Sequence, residues 1–209
     1  MKPDKLDVTV TSRAAECNAL WMINHLRSQT YRDLLGRVTY LPITNSNQAE
    51  WRSEMEKHSF SILYHTKNQG RINLTDVTDS LYDLELRELS ETLGRDNVMV
   101  VVDDLVKSDE ETRQRILEGQ PSISRWASQL LLFSVDEKNP IPAHKQQVLL
   151  QTFQRAHKKQ EQEQHKIWVG TVYGGGRDSG YRQKIVVLAA VGCVTLLLAR
   201  KLYRKKRTL

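Results

Sequence analysis

Five consecutive apolar residues, Val-Met-Val-Val-Val at positions 98–102, place the strongest constraint on how this chain can fold. A strand with one face in water alternates apolar and polar residues, whereas this segment is apolar at every position. Such a strand is buried on both faces, which is typical of a parallel sheet covered by helices on both sides. The segment therefore predicts a central strand of an α/β fold.

Four other short segments rich in β-branched or apolar residues are predicted as strands: residues 6–10, 38–41, 60–64 and 130–133. Apolar residues at helical spacing predict helices over residues 14–35 and 80–93. A short polar helix is predicted over residues 48–57, and another helix over residues 109–117. Gly36 is expected to end the first helix, and Asp109 to cap the last. The alternation predicts an α/β fold with a five-stranded, mostly parallel, doubly wound sheet of flavodoxin-like type in residues 1–137.

The net charge divides the chain into two parts. The formal charge is +6, but residues 184–209 contain seven basic and no acidic residues. The rest of the chain therefore carries about one net negative charge, without the basic face of a nucleic-acid reader. We expect no nucleic-acid partner. The chain has only two cysteines, so no disulfide framework is expected.

An uncharged apolar segment, residues 185–199, lies near the C-terminus. As a helix it would be about 22 Å long, less than the roughly 30 Å hydrocarbon core of a bilayer. Basic side chains flank the segment, however, and can snorkel to the lipid headgroups. We predict a single transmembrane helix over residues 184–203. The residues expected to face lipid include Ile185, Leu188, Val191, Leu196 and Leu198.

The position of this helix predicts a tail anchor, because the first ten residues lack the apolar segment of a signal peptide. The N-terminal domain is then expected in the cytosol. A short span with strongly basic flanks is typical of the mitochondrial outer membrane, with the peroxisome and the endoplasmic reticulum as alternatives. The flanking residues expected to direct targeting are Lys184, Arg200, Lys201, Arg204, Lys205, Lys206 and Arg207.

Two connecting segments are predicted between the domain and the anchor. Residues 138–168 carry apolar side chains at helical spacing and predict a helix that continues as a stalk. Residues 169–183 contain three consecutive glycines and predict a flexible linker. Residues 204–209 form a basic tail.

Ligands of doubly wound sheets bind at the carboxyl ends of the strands. No phosphate-binding glycine motif follows the first strand, and the histidines lack metal-ligand spacing, so we predict no metal site. Asp103 and Asp104 are not expected to act together, because adjacent strand residues point to opposite sides. The candidate binding residues are Arg13, His65, Arg71 and Asp103.

A strand, a loop and a helix over residues 61–86 resemble the third strand and following helix of TIR domains. The helix begins Ser-Leu-Tyr-Asp-Leu-Glu-Leu at residues 80–86, which is similar to the TIR pattern W-C-x-x-E-L. Glu85 falls on the glutamate of that pattern, with Leu81 and Tyr82 at the Trp-Cys positions. Residues 41–47 depart from the family, because they lack the Arg-Asp and Pro-Gly pairs of its signalling loop.

The resemblance implies two functions. The first is a signalling adaptor or regulator of innate immune or cell-death type, which binds proteins on the cytosolic side of a membrane and needs no cofactor. The second is an NAD glycohydrolase in which Glu85 is catalytic, although Glu85 also fits a solvated position on its helix. A tether between organelles is a third reading. The sequence does not decide whether the chain forms homo-oligomers or whether it is an enzyme.

Overall fold

A computed structural model describes residues 4–173. The chain divides into two units, Met1–Glu163 and Gln164–Leu209. The sheet and every side chain discussed below belong to the first unit.

The sheet contains five strands, and every neighbouring pair is parallel. The strand order is β2-β1-β3-β4-β5, which is the order of flavodoxin-like folds. The prediction of a five-stranded parallel α/β fold is therefore confirmed. The strands are β1 (Leu6–Ser12), β2 (Leu35–Pro42), β3 (Phe60–Thr66), β4 (Val98–Leu105) and β5 (Gln129–Ser134).

Helices cover both faces of the sheet and separate two apolar cores. One core lies between the sheet and the first and last helices, and includes Met22 and Phe153. The other lies under the remaining four helices, and includes Trp51, Leu86 and Ile123. The helices are α1 (Glu16–Leu26), α2 (Gln48–Met55), α3 (Asp83–Leu93), α4 (Glu110–Gly119), α5 (Pro121–Trp126) and α6 (Ala143–Tyr173).

Strand β4 is buried on both faces, as its apolar sequence predicts. Val98, Val100 and Val102 belong to one core, and Met99 and Val101 to the other. All five side chains are fully buried. Every position must therefore be apolar, because neither face of this strand meets water.

The first predicted helix, residues 14–35, is too long. Helix α1 ends at Leu26, and β2 already begins at Leu35, which is in register with Leu6. Gly36 does not end a helix but lies in β2, where a Cβ atom would stand 2.4 Å from Oδ1 of Asp7. The apolar spacing suggested a longer helix because Leu34 and Leu35 also face the core beside α1. Pairing with β1 overrides that pattern.

Among residues 4–173, no helix is long and apolar enough to cross a membrane. The predicted span at residues 184–203 and the basic tail lie outside the described residues. Helix α6 extends to Tyr173, and the predicted linker beyond that residue also lies outside them.

Candidate functional site

The carboxyl edge of the sheet brings together Arg13 and Glu85. Arg13 follows β1 directly, and Glu85 lies in the first turn of α3. Nη2 of Arg13 is 2.6 Å from Oε1 of Glu85. Glu85 is only 5% exposed, so its carboxylate has little contact with water. The Arg13 guanidinium is the cation that balances its charge.

Arg13 also joins two other segments at this edge. Its Nε donates to the carbonyl of Leu81 at 2.9 Å, and its Nη1 donates to Oδ1 of Asn45 at 2.8 Å. The guanidinium therefore links the end of β1, the β2–α2 loop and the start of α3. In this arrangement Glu85 acts as the counter-ion of a residue that holds three loops together.

Asp103 is fully buried at the end of β4. Its Oδ2 accepts hydrogen bonds from the Tyr64 hydroxyl at 2.6 Å and from Nε1 of Trp21 at 2.8 Å. The same oxygen is 2.9 Å from Nζ of Lys138. Burial raises the pKa of Asp103, although the bonds from Tyr64 and Lys138 act in the opposite direction. Oδ2 is thus committed to contacts inside the domain, whereas Oδ1 is buried and has no hydrogen-bond partner among the described residues.

Asp104 joins the same cluster, contrary to the expectation that adjacent carboxylates point apart. The residue has a φ of 58°, in the left-handed region that residues other than glycine rarely adopt. This turn lets Oδ1 of Asp104 reach Nζ of Lys138 at 2.5 Å, while Oδ2 accepts from Thr66 Oγ1 at 2.6 Å. Burial opposes ionisation of Asp104, but the bonds from Lys138 and Thr66 outweigh it and lower its pKa.

Lys138 therefore bridges both carboxylates. Burial alone would lower the pKa of Lys138, but the hydrogen bonds to Asp104 and Asp103 outweigh that cost and raise it. We name Asp103, Asp104 and Lys138 the carboxylate–lysine cluster. Lys138 was not among the residues singled out from the sequence. Its position just after β5, the neighbour of β4, is the signal that could have indicated it.

His65 lies on the other face of the sheet, where it is 1% exposed. Its ring meets that of Tyr82 edge to face, with centroids 6.0 Å apart. Burial lowers the pKa of His65, and a contribution from the Arg71 backbone acts the other way. The Arg71 side chain is exposed. His65 is thus adjacent to the segment that leads to Glu85, whereas Asp103 faces the opposite core.

Two of the cavities in the described part of the chain lie in different parts of the domain. The smaller, about 10 Å³, is lined by Trp51, Leu84 and Glu85 among others. It is too small for anything beyond a water molecule. The larger, about 400 Å³, lies along β5 and contains none of the candidate residues predicted from the sequence. Within residues 4–173, no group of three His, Cys, Asp or Glu side chains is placed to share a metal ion.

The predicted lipid-facing residues, from Ile185 to Leu198, and the predicted targeting residues, from Lys184 to Arg207, lie outside the described residues. Of the other candidates, the structure joins Arg13 to Glu85 and brings His65 near Arg71. It leaves Asp103 in a separate cluster.

Fold and site together define a flavodoxin-like α/β domain whose carboxyl edge is closed by internal ion pairs. The chain matches no protein-family model, and no curated protein matches it either.

Proposed function

We propose that this chain is a membrane-attached binding protein whose α/β domain engages protein partners on the cytosolic side. The observation that supports the binding role is that charged side chains at the carboxyl edge of the sheet pair with one another. Its charged groups Arg13, Glu85, Asp103 and Asp104 are paired within the domain. To act on a substrate through these paired atoms, each group would have to give up its partner, whereas Oδ1 of Asp103 is buried and has no hydrogen-bond partner among the described residues.

Two apolar side chains at the same edge are exposed instead. Leu105 and Ser134 are paired at the ends of β4 and β5, and the residues after them, Val106 and Val135, are 97% and 62% exposed. These are the most exposed large hydrophobic side chains in the described part of the chain. Neighbouring exposed apolar side chains are typical of contact surfaces. We therefore assign partner binding to this edge.

The membrane and the signalling role enter the proposal from the sequence. The uncharged segment 185–199 and the seven basic residues in 184–209 support a tail anchor in the mitochondrial outer membrane. The likeness of residues 61–86 to TIR domains, together with the strand order, supports a signalling adaptor or regulator of innate immune or cell-death type.

NAD cleavage by Glu85 is the alternative. The observation that favours it is the place of Glu85, at the carboxyl edge where ligands of doubly wound sheets bind. For this chemistry Glu85 would have to leave Arg13 and the edge would have to open, because the cavity beside Glu85 is only about 10 Å³.

Proximity labelling in cells with the full-length chain tests the binding role. We expect Val106→Asp combined with Val135→Asp to remove a set of cytosolic proteins that the unaltered chain labels. Leu20→Asp is the control, because it places a charge at an apolar side chain 40% exposed in the middle of α1 rather than at the carboxyl edge. Equal labelling by all three proteins would contradict partner binding at this edge. Ending the chain at residue 183 should release it from mitochondria.

Incubation of the full-length protein with NAD separates the two functions. The binding role predicts that no NAD is consumed. Turnover that Glu85→Gln abolishes and Glu88→Gln retains would establish the alternative. Glu88 is a suitable control because it is another α3 glutamate paired with an arginine, Arg52, at 2.6 Å.

A further inference from the structure

Strand β5 is the last strand of the sheet, and its outer edge pairs with no other strand in residues 4–173. The cavity of about 400 Å³ runs along this edge, and four consecutive residues, 129–132, line it. Consecutive strand residues point their side chains to opposite faces of a sheet. A groove lined by all four must therefore follow the backbone edge.

Two helices form the walls of this β5 groove. Asp109, Glu110 and Arg113 come from the start of α4, and Lys145 and Val148 from α6. The volume falls within the range of about 300–1,000 Å³ that is usual for ligand sites. The groove thus combines the dimensions of a binding site with a strand edge as its floor.

Backbone hydrogen-bonding groups point into the groove. The carbonyl of Leu130 accepts from Nε of Arg113 at 3.3 Å, and the N–H of Ser134 donates to Oε2 of Glu137 at 2.8 Å. Both bonds form on the outer edge of β5. The backbone groups of successive residues point to alternate edges of a strand. The N–H and C=O of Leu132 therefore point to the outer edge of β5, like those of Leu130 and Ser134. An added strand offers the donors and acceptors that match this spacing.

The shape of the groove excludes the same edge of a second copy as the occupant. Leu130, Leu131 and Leu132 are 2%, 7% and 3% exposed, because helices cover both faces of this edge strand. Two edges recessed in this way cannot approach to the roughly 4.8 Å spacing of paired strands before their flanking helices collide. A single extended segment has no such walls of its own.

The charges lining the groove select the composition of that segment. Two acidic side chains, Asp109 and Glu110, balance two basic ones, Arg113 and Lys145. Arg113 pairs with Glu110 at 2.6 Å, and Lys145 pairs with Glu137 at 2.6 Å. These four side chains give the lining no net formal charge, so a charged segment would gain little there, whereas an uncharged one leaves the two ion pairs intact.

We infer that the β5 groove binds an extended, uncharged peptide segment of a partner protein, which adds a strand to the outer edge of β5. The inference rests on the proposed function in one respect, since it names the form of the partner that the domain binds. The segment displaces Arg113 from the Leu130 carbonyl and pairs with Leu132. Its alternate side chains point towards α4 and α6.

Fluorescence polarisation tests this with the full-length chain in mild detergent and a short fluorescein-labelled peptide of alternating valine and threonine. We expect saturable binding that Val148→Arg weakens at least about tenfold, a change equivalent to ~1.4 kcal/mol. Leu150→Arg is the matched control, because Leu150 is also half-buried on α6 but does not line the groove. A version of the peptide with every amide N-methylated keeps the side chains, loses the donors and should not bind.

Several results would overturn the inference: no saturable binding, equal binding to the Val148→Arg chain, or equal binding of the methylated peptide. Sedimentation that shows a dimer of the unaltered chain, lost in Val148→Arg, would assign the groove to a second copy instead. None of these measurements depends on Val106, Val135 or the membrane. A failure here is therefore distinguishable from a failure of the proposed function.

Discussion

Lys138→Met should destabilise the domain far more than the loss of one surface charge would. The variant removes the cation of the carboxylate–lysine cluster and leaves Asp103 fully buried and Asp104 nearly so, with a side chain 7% exposed. Breaking a buried ion pair by removing one partner costs ~3–5 kcal/mol. The lower end applies here, because Lys138 is 22% exposed and Tyr64 and Trp21 still donate to Asp103. We expect a loss of about 3 kcal/mol at pH 7.

The loss should shrink at acidic pH. Asp103 has a raised pKa in the folded domain, and removing Lys138 raises it further, so ionisation of Asp103 opposes folding as the pH rises. Asp104 has a lowered pKa, and its stabilising contribution disappears as the pH falls through that pKa. The Asp103 effect makes the difference between the variant and the unaltered chain larger at pH 7 than near pH 4, and the Asp104 effect reduces the difference further only below the ordinary aspartate pKa of 3.8.

Urea denaturation followed by far-UV circular dichroism measures this difference. With a slope of about 1–3 kcal/mol per molar urea, the midpoint should move by roughly 1–3 M. Lys159→Met is the control: it removes the same charge from a pair with Asp96 in which both side chains are more than 40% exposed. That loss should stay below about 1 kcal/mol. Equal effects of the two variants would refute the argument that burial makes Lys138 costly to remove.

Two further predictions concern the residues beside the β5 groove. Hydrogen bonds from Lys145, Ser108 and Ser134 outweigh the burial of Glu137 and lower its pKa to about 2, so its contribution to stability is present above about pH 4.5 and is lost as the pH falls towards 2. Glu137→Gln should therefore lower the free energy of unfolding by ~1–3 kcal/mol at pH 7 and by less at pH 3. Urea titrations at the two pH values measure this, and the same loss at both would contradict the prediction. Asp109→Ala should lower the midpoint temperature of thermal unfolding, because Asp109 caps α4 through the Thr112 N–H at 2.8 Å. Asp109→Asn keeps the acceptor and should leave that midpoint nearly unchanged.

The sequence predicts those parts of the fold that depend on local pattern. Residues 98–102 are apolar throughout because β4 is buried on both faces, and Asp109 caps α4 because its side chain acts on the next turn. The local pattern around Gly36 did not predict its position in β2. Its role depends on Asp7, a residue in another strand, and spacing along the chain carries no information about that contact.

The candidate site was less predictable for the same reason. Arg13 and Glu85 were both singled out, but their ion pair joins residues 72 positions apart in the sequence. Lys138 was missed because its partners lie on β4, and Asp104 reaches it only through a left-handed backbone that no local motif announces. Contacts between segments that are distant in sequence determine which side chains are paired at the carboxyl edge of the sheet.

The packing of α6 has a consequence for synthesis of the chain on the ribosome. Phe153 of α6 meets Phe60 of β3 and Tyr31 edge to face, with centroids 5.0 and 5.8 Å apart. This half of the core therefore stays incomplete until residue 153 and its neighbours have left the exit tunnel. Until then, the nascent chain exposes the apolar face of β1 and β3 that α6 will cover, a state prone to aggregation. Chaperones that bind such surfaces should hold this chain until most of it has been translated.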